Sequence, residues 1–405
     1  MRSELHYDAI VVGAGTAGLT AGARLAEGGA RVCVLAKGVG STHLAPGTID
    51  VLGYAPERVS EPGTALRDFI ATHPDHPYAL LGFDAVTEAA SWFRSCVEAG
   101  PLPGYRYVGD LEHNVLLPSA IGALRPSALV PETMAGGNAA AGERVCVVGV
   151  RPLRDFHASL CAANLTRAGI AARAVETDIE VQRADESTLG LARRFDDATW
   201  RAGFAARLAI ALQADERVGL PAMLGVRDPH GTWSDLEHRL GRRVFEIPTL
   251  PPSVPGMRLF EILRAALRRA GGRLILGAEV VDSERSGTRM SAVIARTAGR
   301  DTRYAAPSFV LAAGGFASGA IELDSHWATH ERVLGLPLRG VPALDQPRFV
   351  ADYLAEQPMA RVGVAVDGEL RAEGAENVLV VGAALPGAVP WREASGEGIA
   401  LASGT

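Results

Sequence analysis

The sequence predicts an α/β fold of the dinucleotide-binding Rossmann type with an inserted cap lobe. Three observations lead there. The short β-branched run Ala9-Ile10-Val11-Val12 passes directly into a GxGxxG turn, Gly13-Ala14-Gly15-Thr16-Ala17-Gly18, and Leu19 to Ala26 continues as a helix. A second apolar run, Arg31 to Leu35, follows Gly28-Gly29, which suits a helix end and turn. Two late apolar runs, Phe309 to Phe316 and Asn377 to Ala383, each close on small residues.

Each glycine of the turn has its own task. Gly13 allows the tight turn, Gly15 admits a pyrophosphate to the backbone, and Gly18 lets the helix lie close to the strand. The helix start, including Thr16 and Ala17, offers free N–H groups and the positive end of the helix dipole to a phosphate. The competing reading is a glycine-rich turn in an unrelated α/β protein. The strand before it and the helix after it favour the nucleotide.

Composition sets the bounds. The chain has 405 residues, enough for two or three domains; it is 48% hydrophobic with a net charge of −6. That balance gives no electrostatic footprint for nucleic acid. No apolar run approaches the roughly 18 residues of a membrane span, and the N-terminus does not read as a signal peptide. A cytoplasmic location is therefore expected. Cys33, Cys96, Cys146 and Cys161 are far apart and form no CxxC. They read as buried thiols rather than ligands of a metal or an iron–sulfur cluster.

After the second strand, Lys37 to Asp50 has loop composition and leaves the carboxyl end of that strand, where ligands sit. A dinucleotide fold expects an acid at the strand's end, to bind ribose hydroxyls. This chain has Ala36 and Lys37, its only lysine. Residues 56–255 change character, with frequent Pro and Gly, amphipathic helices over 85–97 and 156–168, a strand over 145–150 and a charged, mostly helical stretch over 187–217. This is the expected cap, inserted into a discontinuous nucleotide domain of residues 1–55 and 256–405. The prolines of 247–255 fix an extended segment, and Gly256-Met257-Arg258 opens a helix to Ala270. Arg258 could face an anionic substrate bidentately, or be a solvated arginine at a helix start. Strands are expected at 273–276, 279–283 and 290–296, with a further one after Tyr304. Phe309 to Phe316 then ends in Ala312-Ala313-Gly314-Gly315, small enough to admit a flat ligand. Asn377 to Ala383 is a buried strand, and Ser395 to Leu401 opens a closing helix.

These features together resemble the flavoprotein dehydrogenases with a glutathione-reductase-like FAD/NAD(P)-binding fold. Lys37 to Gly53, Thr249-Leu250-Pro251-Pro252-Ser253-Val254 and Asn377 to Gly382 resemble, more closely, the B subunits of the anaerobic glycerol-3-phosphate dehydrogenases. The resemblance runs over most of the chain. It implies oxidation of sn-glycerol 3-phosphate to dihydroxyacetone phosphate, with quinone as the eventual acceptor (EC 1.1.5.3). It also implies two partners, the flavoprotein (A) and iron–sulfur (C) subunits of the same complex, the latter at the inner face of the plasma membrane. Flavin contacts are implied at Gly13, Gly15, Gly18, Ser41, Thr42, Gly47 and Gly382. Thr16, Ala17, Lys37, Thr48, Gly314, Gly396, Gly398 and Ile399 complete the expected cofactor set. The closing helix departs from the family: Ala394-Ser395-Gly396-Glu397-Gly398 replaces the usual glycine-rich start, and the sequence stops at Thr405. His43, in the loop beside the expected isoalloxazine, is the candidate base, with a structural role in that loop as the alternative. The missing strand-end acid and the lysine in its place point to FMN, with FAD as the alternative. Two other readings stand beside this one. The chain could be a non-catalytic electron-transfer subunit of the same complex. It could also be an FAD enzyme like fumarate reductase or the ketosteroid dehydrogenases.

Overall fold

Ala9–Val12 is buried at all four residues and lies at the centre of a six-stranded sheet. From one edge the order is Arg273–Leu276, Val32–Ala36, Ala9–Val12, Ser308–Leu311, Ala375–Val380 and Arg371–Ala372. The first five run parallel and the last is antiparallel. Parallel strands covered on both faces need near-continuous apolar runs, and these have them. In this computed structural model the described residues are 4–179, 186–343 and 345–405.

The helix Thr16–Glu27 crosses from the first strand to the second, burying Leu19, Ala23 and Ala26. Beside it packs Val254–Arg269, whose start is capped by the Ser253 hydroxyl, which accepts from Gly256 N at 3.1 Å. Ser253 N also donates to the His43 carbonyl at 2.9 Å, so the proline segment seats the short 3₁₀ turn Gly40–Leu44. The expected strands after residue 272 are present. Glu279–Ser286, Arg289–Thr297 and Arg300–Ala305 form an antiparallel meander, which Glu4–His6 joins at its edge. Tyr304 lies within the last of these strands and, as expected, ahead of a further one, Ser308–Leu311.

The inserted region holds a second parallel sheet, ordered Val244–Ile247, Glu216–Pro221, Arg144–Val150 and Ala172–Thr177. Its own core gathers Cys146, Cys161, Phe195, Phe204 and Phe245. The stretch 187–217, expected to be a solvated helical face, divides into Thr188–Phe195 and Ala198–Ala209; Glu216 and Arg217 then turn inward on a strand. The division between lobes also falls later than expected at residue 56. Pro62–Thr72 and Phe83–Glu98 bury Leu66, Phe69, Val86 and Phe93 in the core of the nucleotide domain. The second of these helices packs on the closing helix Gly396–Gly404. Its apolar stripe, not its place in the chain, decides which lobe it joins.

Candidate functional site

A cleft of about 1190 Å³ opens over the carboxyl ends of the parallel strands. Its middle is the glycine turn. Gly13 has φ +115°, and a side chain there would overlap the Ala312 carbonyl. At Gly18 a side chain would overlap the Gly13 carbonyl, so the helix start is held tight on the strand. Gly15 differs: a Cβ there would meet nothing within 4 Å, because that side faces the cleft. Gly15 is also the helix N-cap and supplies no capping side chain, so the first-turn N–H groups are left for a ligand. An open, uncapped helix start bordered by two sterically required glycines fits a phosphate. Thr16, Ala17, Ser41, Gly314 and Gly382 line the same cleft. Gly382 N–H is fixed by donating to Ser403 Oγ at 2.8 Å.

The cleft extends both ways from this cradle. One arm runs past the ends of Val32–Ala36 and Arg273–Leu276, where Lys37, Gly38, Ala278, Glu279, Val280 and Arg296 line it. The other reaches Pro77, Pro390, Trp391 and the start of the closing helix, at Gly396, Glu397, Ile399 and Ala400.

A buried polar network fixes that helix start. Glu393 accepts from Val389 N at 2.8 Å and from Ser395 Oγ at 2.9 Å, and lies 3.1 Å from His76 Nε2. The Tyr78 hydroxyl donates to Val51 O at 2.7 Å. Behind the helix, buried Asp50 accepts from Thr48 Oγ1 at 2.8 Å, Ser127 Oγ at 2.6 Å and Arg125 Nε at 2.9 Å. Burial and the neighbouring Asp50 charge, partly offset by Arg125, push the Glu397 carboxyl up to about 7. In the sequence Glu397 stands out only as a departure from a glycine-rich pattern. Its signal is a carboxylate placed in the first turn of a helix that opens on the cleft.

Thr42, His43, Gly47, Thr48, Arg258 and Gly398, also expected at the site, sit behind the cleft wall. Thr42 is buried with its hydroxyl 3.5 Å from that of Thr16. Thr48 holds Asp50, and the Gly47 carbonyl accepts from Tyr107 Oη at 2.5 Å. Gly398 packs against Tyr78 and Asp50. His43 does not line the cleft. Its ring stands edge-on to Phe260, its Nε2 is buried without a partner, and burial lowers its proton affinity, with Glu261 opposing. Arg258 is neither solvated nor turned to a ligand. It is buried and forms a two-pronged pair with Glu246, at 2.6 and 3.0 Å, and it also donates to the Leu224 and Gly225 carbonyls. The Arg258 side chain joins the nucleotide domain to the cap, and its donors have protein partners. Lys37 lies 2.9 Å from Glu279 Oε1. The four cysteines are buried free thiols, and burial pushes Cys33 to about 11 and Cys96 to about 12.

Residues 8–397 match the family described as FAD binding domain. The B subunit of anaerobic glycerol-3-phosphate dehydrogenase from Pectobacterium atrosepticum is 30% identical, over 98% of this chain and 97% of that protein. The probable B subunit of the same enzyme from Halobacterium salinarum is 32% identical, over 99% and 96%. The chain belongs to the family of anaerobic glycerol-3-phosphate dehydrogenase B subunits. Together with the FAD-binding match, that membership makes the chain a flavin-dependent oxidoreductase. The first choice of FMN finds no support in that match, which is to FAD binding domains. Among solved structures, the 3-ketosteroid Δ1-dehydrogenase of Sterolibacterium denitrificans aligns with a TM-score of 0.35 at 18% identity, covering 77% of this chain and 48% of that one. The chain thus spans about half the length of that enzyme.

Proposed function

We propose that this chain binds FAD and takes part in oxidising sn-glycerol 3-phosphate to dihydroxyacetone phosphate. Its electrons pass to the flavoprotein (A) and membrane-associated iron–sulfur (C) subunits of the complex, and through them to quinone. The observation that carries the reading is the cleft itself, with a phosphate cradle at its middle and an arm on either side. FMN ends at its single phosphate and leaves one arm empty; a dinucleotide has a group for each. When bound, the flavin supplies a hydride acceptor. The chain's own residues hold the phosphates on the Gly15–Ala17 backbone and present Glu397 at the far arm. A carboxyl that titrates near neutrality suits removal of a hydroxyl proton, and Glu397 has the placement for it that His43 lacks.

One observation favours a second reading. The arm that ends at Trp391 and Glu397 has no Arg or Lys among its described lining residues, whereas Lys37, Arg296 and Arg332 lie toward Glu279. A substrate phosphate has no cation to meet there, as an electron-relay subunit would require none. Two measurements on the purified chain separate these readings. Chromatography of the cofactor released by denaturation should give FAD; FMN alone rejects the dinucleotide assignment. Anaerobic addition of glycerol 3-phosphate should bleach the flavin if this subunit meets substrate, and an unbleached flavin that dithionite still reduces assigns it to relay.

A further inference from the structure

The missing acid at the end of the second strand is supplied from elsewhere in the chain. Arg273–Leu276 pairs parallel with Val32–Ala36, with Leu276 opposite Ala36. The two strands therefore end side by side. Ala278 N donates to the Ala36 carbonyl at 3.0 Å, which carries the chain round Gly277 and sets Glu279 next to Lys37. Lys37 Nζ holds Glu279 Oε1 at 2.9 Å, and both residues line the same arm of the cleft.

Resting on the FAD reading above, we infer that Glu279 is the adenosine-ribose acceptor, a role brought in from the sheet's edge strand and oriented by Lys37. An ionised carboxylate only accepts, and it has two oxygens for the two hydroxyls of a ribose diol. Lys37 only donates, so it cannot serve both hydroxyls as acceptor. It can fix the rotamer of Glu279 and keep it ionised: the Lys37 hydrogen bond holds the Glu279 carboxyl below its ordinary range. Arg296 and Arg332 add to the same field, and Arg296 is 3.5 Å from Asp301 while Arg332 is 3.6 Å from Glu322. The lysine that stands where a ribose-binding acid is expected is thus that acid's partner, not its replacement by a phosphate site.

The test uses the apoprotein of the full chain, titrated with FAD, FMN and an FAD analogue with a 2′-deoxyadenosine, read by quenching of flavin fluorescence. The parent chain should bind FAD more tightly than FMN and lose about tenfold or more on removal of the 2′-hydroxyl, as for a hydrogen bond to a charged group. Glu279→Ala should lose a similar factor for FAD, show no change for FMN, and no longer distinguish FAD from its deoxy analogue. Glu279→Gln, which keeps the size of the side chain, should retain only part of the discrimination. Lys37→Met should weaken FAD less than Glu279→Ala does. Should the parent favour FMN, the FAD reading fails and this inference with it. Should the parent favour FAD while Glu279→Ala still discriminates against the deoxy analogue, or loses FMN and FAD alike, the FAD reading stands and the role of Glu279 is rejected.

Discussion

Gly15 and Gly18 are three residues apart in one turn, yet the space around them differs completely. A side chain at Gly18 would overlap the Gly13 backbone, while one at Gly15 would project into the open cleft. Gly15→Val should therefore yield a folded protein with little loss of melting temperature and no bound flavin, checked by circular dichroism and by absorbance of the purified protein. Gly18→Val should force the helix off the strand and lower stability by about 1–3 kcal/mol or more, with or without cofactor present. Glu397 makes a pH-dependent prediction. Its carboxyl binds a proton more tightly in the folded chain, at about 7, than at its ordinary value of 4.5. Below both values it is protonated in either state. As pH rises between them the unfolded chain releases its proton first, so stability falls across that window and levels off above about 7. Glu397→Gln should remove that slope. Relative to the parent, the variant gains on the order of 1–3 kcal/mol between about pH 5 and about pH 8, as measured by urea unfolding.

At the scale of elements, the pair between Arg258 on Val254–Arg269 and Glu246 on Val244–Ile247 ties the two lobes together. Arg258→Ala would leave Glu246 buried with its charge uncompensated, so a loss of about 3–5 kcal/mol is expected from denaturant unfolding. Replacing both by Met and Leu should recover only part of this. Thr133 Oγ1 and Leu224 N both donate to Glu246 at 2.7 Å and would lose their acceptor. This element also marks where the sequence stops being legible. The parallel core strands and the glycine turn could be read because their signals are local: β-branched runs and small residues at fixed spacing. The role of Arg258 could not, since its partner belongs to a cap strand and nothing local to Gly256-Met257-Arg258 says which way the side chain points. Glu279 is the same case at longer range. The sequence pattern expects the acid at the end of one strand, but pairing with an edge strand more than two hundred residues later delivers it. A change in composition puts the lobe boundary at residue 56, but the apolar stripe of Phe83–Glu98 packs into the nucleotide-domain core.

For the whole molecule the question is how electrons leave. The cleft lies over the carboxyl ends of the parallel sheet, the usual ligand position in open α/β sheets, and the closing helix and its Glu393 network wall one end of it. Among the described residues, no helix is long and apolar enough to cross a membrane, and no three His, Cys, Asp or Glu side chains are gathered as for a metal. The cysteines are buried in separate places, Cys33 and Cys96 in one core and Cys146 and Cys161 in the other. Thiols held protonated by burial, and apart from one another, are poor cluster ligands. The proposed route, from the flavin to a cluster held by another chain, makes a kinetic prediction. With the flavin reduced anaerobically by dithionite and the excess removed, a soluble quinone analogue should reoxidise it slowly. Adding the iron–sulfur partner should make the same reoxidation much faster and dependent on partner concentration until it saturates. Stopped-flow absorbance of the flavin measures both rates, and fast reoxidation by the isolated chain, unaltered by the partner, would place the exit for electrons within this subunit instead.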